Sequence, residues 1–150
     1  MTTLTAAPLV RRSQSQLDGL FRRSPAGPIP EGDTAGLAII APGTPLSSPL
    51  ARFVHLVAWQ GKVFDPTTGT LRNKITPFGI RAIPARVYKD VSWVDGRECI
   101  VLDYSKSWLV ARGIRDEIRE VAPGQYLGVV FLGRVKVLNF ALRMPARRGE

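Results

Sequence analysis

The stretch 97–131, RECIVLDYSKSWLVARGIRDEIREVAPGQYLGVVF, decides how the chain is read. Side chains of an extended chain point alternately to opposite sides. In 97–104 that sorts Cys99, Val101 and Asp103 to one face and Ile100, Leu102 and Tyr104 to the other. Both faces are largely apolar, so Asp103 or Tyr104 is expected to meet a non-polar environment. Residues 107–113 predict a short helix, because Val110, Ile114 and Ile118 recur at helical spacing. A strand is then expected from about Arg115, and Pro123-Gly124 turns it into another over 126–132. The stretch reads as the wall of an antiparallel β-barrel, with Asp103, Tyr104 and Arg115 as candidates for its lined interior.

Working outward, the flanks repeat the hairpin pattern. Asp95-Gly96 predicts a two-residue type I′ turn between strands 82–94 and 97–104, since Gly tolerates the positive φ such a turn demands. Pro66-Thr-Thr-Gly69 joins 62–65 to 71–76, and Gly133-Arg134 leads into 135–144. Upstream, GLAIIA at 36–41 reads as a first strand, and Leu50, Phe53, Val54 and Val57 predict a helix over 49–59. Leu17, Leu20 and Phe21 predict another over 13–23, which SPAGPIPEGD (24–33) then breaks. Eight to ten short strands with short turns point to an all-β sandwich or barrel, and closure removes exposed edges, which favours the barrel. The organisation expected is a disordered arm over 1–12, one barrel domain over 13–145 and a tail over 146–150.

The composition sets bounds. An apolar content of 45% is that of an ordered globular chain. No apolar run is long enough to span a bilayer, and the N-terminal MTTLTAAPLVRR lacks the long hydrophobic segment of a secretory signal. A cytoplasmic location is the default. Cys99 is the sole cysteine and His55 the sole histidine, so no metal site and no cofactor is expected, and Cys99 reads as a buried, inert thiol. Phosphate-loop, dinucleotide and serine-hydrolase motifs are absent.

A net charge of +9 favours anionic partners. Arg11, Arg12, Arg22, Arg23, Arg147 and Arg148 lie towards the two ends, while the middle mixes signs. That distribution predicts weak, non-specific anion binding, lost at physiological ionic strength, and no specific nucleic-acid partner. Oligomeric state is left open.

Among chemistry-bearing residues, Asp103 is the candidate acid or base, with Tyr104 or Tyr126 donating to a developing oxyanion. The competing and favoured reading makes Asp103 an ion-pair partner of Lys62, Arg81 or Arg115. Lys62, on the face of Phe64, could receive a ligand carboxylate. Trp59, Trp93 and Trp108 read first as core or rim packing and, around a pocket, would offer flat apolar surface; Tyr88, Arg81 and Arg115 join Trp59, Phe64 and Trp108 as candidate ligand-binding residues. The mixed charges of 114–120 read as an outward, salt-bridged face.

The segments WQGKVFD (59–65), ECIVLDYSKSWLVA (98–111), IRDEIREVAPGQYLG (114–128) and NFALRM (139–144) carry a resemblance. The chain resembles small uncharacterised actinobacterial proteins with a lipocalin-like barrel, akin to those paired with GXWXG-type domains. The resemblance implies a calycin-type barrel whose interior accepts a lipophilic small molecule. By analogy of fold with other bacterial barrels, it also admits a cofactor-independent cyclase or isomerase acting on a polyketide- or terpenoid-like substrate. The leading expectation is therefore a barrel that binds an apolar or amphipathic molecule, a carboxylated one included, with the enzyme as the alternative.

Overall fold

The computed structural model describes residue 9 and residues 12–39, 59–75, 80–107 and 112–144; for residues 59, 60, 75 and 80–82 it describes the backbone alone. Among the described residues, where Leu9 is also helical, the helix α1 (Gln14–Arg23) precedes nine strands. These are β1 (Gly32–Asp33), β2 (Ala35–Ile39), β3 (Trp59–Asp65), β4 (Thr70–Ile75), β5 (Ile80–Val91), β6 (Glu98–Asp103), β7 (Ile114–Ala122), β8 (Gln125–Leu132) and β9 (Val135–Arg143). All neighbouring strands are antiparallel, in the order β1-β3-β4-β5-β6-β7-β8-β9-β2.

Closure comes from the first stretch. Residues 32–33 pair with β3 and residues 35–39 pair with β9, so one short segment spans both edges of the seven-strand run β3 to β9 and leaves the barrel nearly closed. Thr34 is the hinge between the two pairings. Its backbone N–H donates to the Lys62 carbonyl at 2.9 Å and its hydroxyl donates to the same oxygen at 2.7 Å. Gly61 makes this approach feasible. It sits at a register shift with φ of +136°, and a Cβ there would collide with the Thr34 carbonyl oxygen and the Gly36 amide. Backbone cannot yield as a flexible side chain does. Gly61→Ala is therefore expected to cost at least about 2 kcal/mol, read as a lower urea midpoint with unchanged slope. An unchanged midpoint would show that the seam does not hold the barrel shut.

The barrel has an inner and an outer core. Inside lie Phe64, Leu71, Ala85, Val87, Ile100, Leu102, Tyr104, Ile118, Tyr126, Val130, Leu138, Phe140 and Leu142. Gly128 leaves room for the Phe140 ring, which occupies the space a Cβ would need. Outside, α1 lays Leu17, Leu20 and Phe21 on Ile39, Leu127, Val129, Phe131 and Ala141. Ser13 caps the helix and exchanges a reciprocal capping box with Gln16. The proline-rich segment after α1 returns across one end of the barrel. Ala26 joins the inner core, Glu120 N–H donates to Pro25 O at 3.0 Å, and Tyr126 Oη donates to Pro28 O at 2.6 Å.

The expected all-β antiparallel barrel is observed, with nine strands and a helix at 14–23. The turn at Asp95-Gly96 differs. β5 ends at Val91 and β6 begins at Glu98, so the connection is a longer loop over 92–97, closed by Ser92 N–H on Arg97 O at 2.8 Å. Longer-range polar contacts take those residues from a tight turn. Arg119 holds Asp95 through two hydrogen bonds of 2.7 Å, and Glu117 accepts from Ser92 Oγ at 2.5 Å and Trp93 N–H at 2.8 Å. The helix expected over 49–59 lies outside the described residues except Trp59, which opens β3, and most of the one expected over 107–113 lies outside them too. No helix among the described residues is long and apolar enough to cross a membrane.

Candidate functional site in the barrel interior

Four polar side chains meet inside the barrel. Lys62 on β3 and Asn73 on β4 are register partners, Tyr104 directly follows β6, and Asp116 lies on β7 opposite Leu102 of β6. Lys62 Nζ donates to Tyr104 Oη at 2.6 Å and to Asn73 Oδ1 at 2.8 Å, and lies 3.1 Å from Asp116 Oδ2. These are three acceptors for an ammonium's three protons. The Tyr104 and Phe140 rings flank the same nitrogen, with centroids at 5.3 and 5.2 Å. Asn73 Nδ2 donates to Tyr104 Oη at 2.9 Å and to Ile83 O at 2.9 Å. Ile83 is the extra residue of a bulge and has φ of +55°, unusual for a β-branched side chain. The bulge turns its carbonyl toward Asn73.

All four side chains are buried. Burial presses the Lys62 ammonium to lose its proton, but Tyr104 and Asp116 outweigh it and raise its pKa. Burial pushes the Asp116 carboxyl above the carboxylate range, against the pull of Lys62 and of the Tyr104 hydroxyl. Burial likewise raises the Tyr104 phenol over the opposing effect of Lys62. Asp116 Oδ1 has no hydrogen-bond partner among the described residues.

The residues singled out from the sequence divide between the two faces. Lys62, Phe64, Tyr104 and Tyr126 point inward. Asp103, Tyr88 and Arg115 point outward, which corrects the expectation that Asp103 and Arg115 line the interior. Tyr88 Oη donates to Asp103 at 2.8 Å and Ser105 N–H donates to it at 2.8 Å. Burial opposes ionisation of Asp103, yet these bonds prevail and hold its pKa below the usual value. Among the described residues Asp103 has no ion pair with Lys62 or Arg115, and its partners are these neutral donors. Arg115 instead joins Glu117 at 3.0 Å and stacks on Trp93. The trio of Asp103, Tyr104 and Tyr126 is therefore not assembled at one place. The Trp59 and Arg81 side chains, and all of Trp108 and His55, lie outside the described residues.

Two members of the interior cluster, Asn73 and Asp116, were not singled out from sequence. A signal for Asp116 existed. It alternates in phase with Ile114 and Ile118, so a carboxylate shares the apolar face while Arg115, Glu117 and Arg119 share the other.

The barrel has a solved counterpart. The chain is similar to a protein of known crystal structure from Thermomonospora curvata, with a TM-score of 0.66 and 18% identity over 90% of this chain and 89% of that one. At that identity the likeness is one of fold. No protein-family model and no curated protein matches the chain. Among the described residues no group of three His, Cys, Asp or Glu is placed to hold a metal ion. Cys99 is buried on the outer face, where burial and Glu117 push its thiol up to about 12. It is expected to resist a thiol reagent at pH 8 until urea unfolds the chain; prompt labelling of the folded protein would show that the loop over 92–97 opens.

Proposed function

We propose that the barrel interior binds an apolar or amphipathic small molecule, with its polar group against Lys62, Asn73, Tyr104 and Asp116. The observation that carries this reading is a buried ion pair inside a largely apolar barrel, with one carboxylate oxygen that has no partner among the described residues. Taking both charges out of water costs several kcal/mol each before their attraction offsets it, and apolar residues of equal volume often serve stability as well or better. A polar cluster kept at that cost is accounted for by a ligand. Asp116 Oδ1 suits the hydroxyl of an alcohol or of a protonated carboxylic acid, while the protons of Lys62 already have Tyr104, Asn73 and Asp116 as acceptors. An apolar body has Phe64 beside Lys62. Phe64 and Val87 also line a cavity of about 140 Å³ at the end of the barrel crossed by Ile29, Pro30 and Glu31.

Incubating the full chain with medium-chain alkanes, alcohols and carboxylic acids, followed by native mass spectrometry, tests the proposal. Alcohols or acids are expected to be retained over the alkane. Retention of none of the three classes would overturn it.

A second reading, a cofactor-independent cyclase or isomerase, draws on the Tyr104 hydroxyl. That oxygen accepts from both Lys62 and Asn73, so its own proton is turned toward Asp116. It could protonate a developing oxyanion while Asp116 exchanges a proton nearby. Tyr104→Phe would then lower turnover of a polyketide- or terpenoid-like substrate by roughly 10²–10⁴-fold. Unaltered binding without any product selects the carrier.

A further inference from the structure

A second cavity lies on the outer face, remote in kind from the interior cluster. It is about 260 Å³ and sits between α1 and the sheet, with Phe21, Trp93, Phe131, Val94 and Val129 as its apolar walls. Trp93 and Phe131 meet edge to face at 5.2 Å. Trp93 is partly exposed, and guanidinium groups lie over it from Arg115 at 4.2 Å and Arg134 at 4.1 Å.

The charges around this cavity are unbalanced. Arg115 is committed to Glu117 and to the Val91 carbonyl. Lys136 on the lining is paired with Asp18, the one carboxylate there. Arg134 has no hydrogen bond or ion pair among the described residues, and neither does Arg22, which lines the cavity and faces Asp18 only across a longer distance. Aromatic walls beside two uncommitted guanidinium groups form a shape and charge that a flat anion complements.

We propose that this cavity binds a small aromatic carboxylate, its ring against Trp93 and Phe131 and its carboxylate on Arg134 and Arg22. The volume lies below the range of about 300–1,000 Å³ common for drug-sized ligands, which limits the ligand to one or two fused rings. A carboxylate accepts the fork of an arginine that stacking on Trp93 already holds in place.

Calorimetric titration of the full chain with 2-naphthoate, and separately with naphthalene-2-carboxamide, tests the proposal. The carboxylate is expected to bind more tightly than its neutral isostere. Arg134→Gln, on an exposed turn where folding is undisturbed, should weaken naphthoate by roughly tenfold or more and leave the carboxamide unchanged. Trp93→Leu should weaken both. The interior variant Lys62→Met/Asp116→Leu should change neither, which separates this site from the interior one. Equal binding of the two ligands, naphthoate binding unaffected by Arg134→Gln, or no binding of either would overturn the proposal.

Discussion

Lys62→Met is expected to destabilise the protein by about 3–5 kcal/mol, because it leaves the Asp116 carboxyl buried without its cation. Against a typical total of about 5–15 kcal/mol that is a large share, visible as a fall in urea midpoint. The loss should depend on pH. Burial holds the folded pKa of Asp116 above its unfolded value near 3.9 already in the wild type, and removing Lys62 raises it further. A carboxyl with a raised folded pKa contributes stability that is full below the unfolded pKa and lost as pH rises through the folded one. Lys62→Met should therefore regain stability as pH falls from 7 to 5. Replacing both partners, in Lys62→Met/Asp116→Leu, should recover stability to within about 2 kcal/mol of the wild type, since neither charge of the pair is left buried and what is lost are the neutral contacts to Asn73 and Tyr104 and the ring contacts of Lys62. A single variant as stable as the wild type at pH 7 would mean that the pair is hydrated.

The second large effect belongs to the outer face. Arg119 is fully buried under α1 and the loop over 92–97. It donates to both Asp95 oxygens at 2.7 Å and to the carbonyls of Phe21, Arg97 and Glu98, and its guanidinium lies 4.6 Å from the Phe21 ring centre. One side chain thus joins helix, loop and sheet. Asp95→Asn should cost about 3–5 kcal/mol by leaving that cation buried without a counter-charge. Here the sign is opposite to Asp116. Hydrogen bonds from Arg119, against burial, hold the Asp95 carboxyl far below the usual range. Its contribution is present above the unfolded pKa and lost only as pH falls through the depressed folded one. The gap between wild type and Asp95→Asn should accordingly persist at pH 5 and narrow only in strong acid. A gap already closed at pH 5 would show that Arg119 draws its stability from the carbonyls alone.

Much of the barrel was legible because hairpin turns and strand lengths are local signals. Pro66–Gly69, Pro123-Gly124 and Gly133-Arg134 each fall where a strand reverses. What period-two alternation could not supply was the choice of face. In β6 both faces are apolar, since Cys99 and Val101 are as buried outside as Ile100 and Leu102 are inside. Asp103 was thereby expected beside Tyr104 in the interior, though successive residues of a strand must part company. The run Ile114-Arg-Asp-Glu-Ile-Arg-Glu120 shows the same limit. Read as one salt-bridged surface, it holds an interior carboxylate at Asp116 and buried polar latches at Glu117 and Arg119. The Asp95-Gly96 turn failed for a related reason. Its preference is local, whereas the Arg119 and Glu117 contacts that reshape it come from more than twenty residues away.

Retention of the interior quartet for a ligand, rather than for the fold, has a direct consequence in the double variant. Comparing the wild type with Lys62→Met/Asp116→Leu by native mass spectrometry, after incubation with a medium-chain alcohol and acid, tests that consequence most directly. The account predicts a folded double variant of near wild-type stability that no longer retains either molecule. A double variant that retains them as well as the wild type would contradict it.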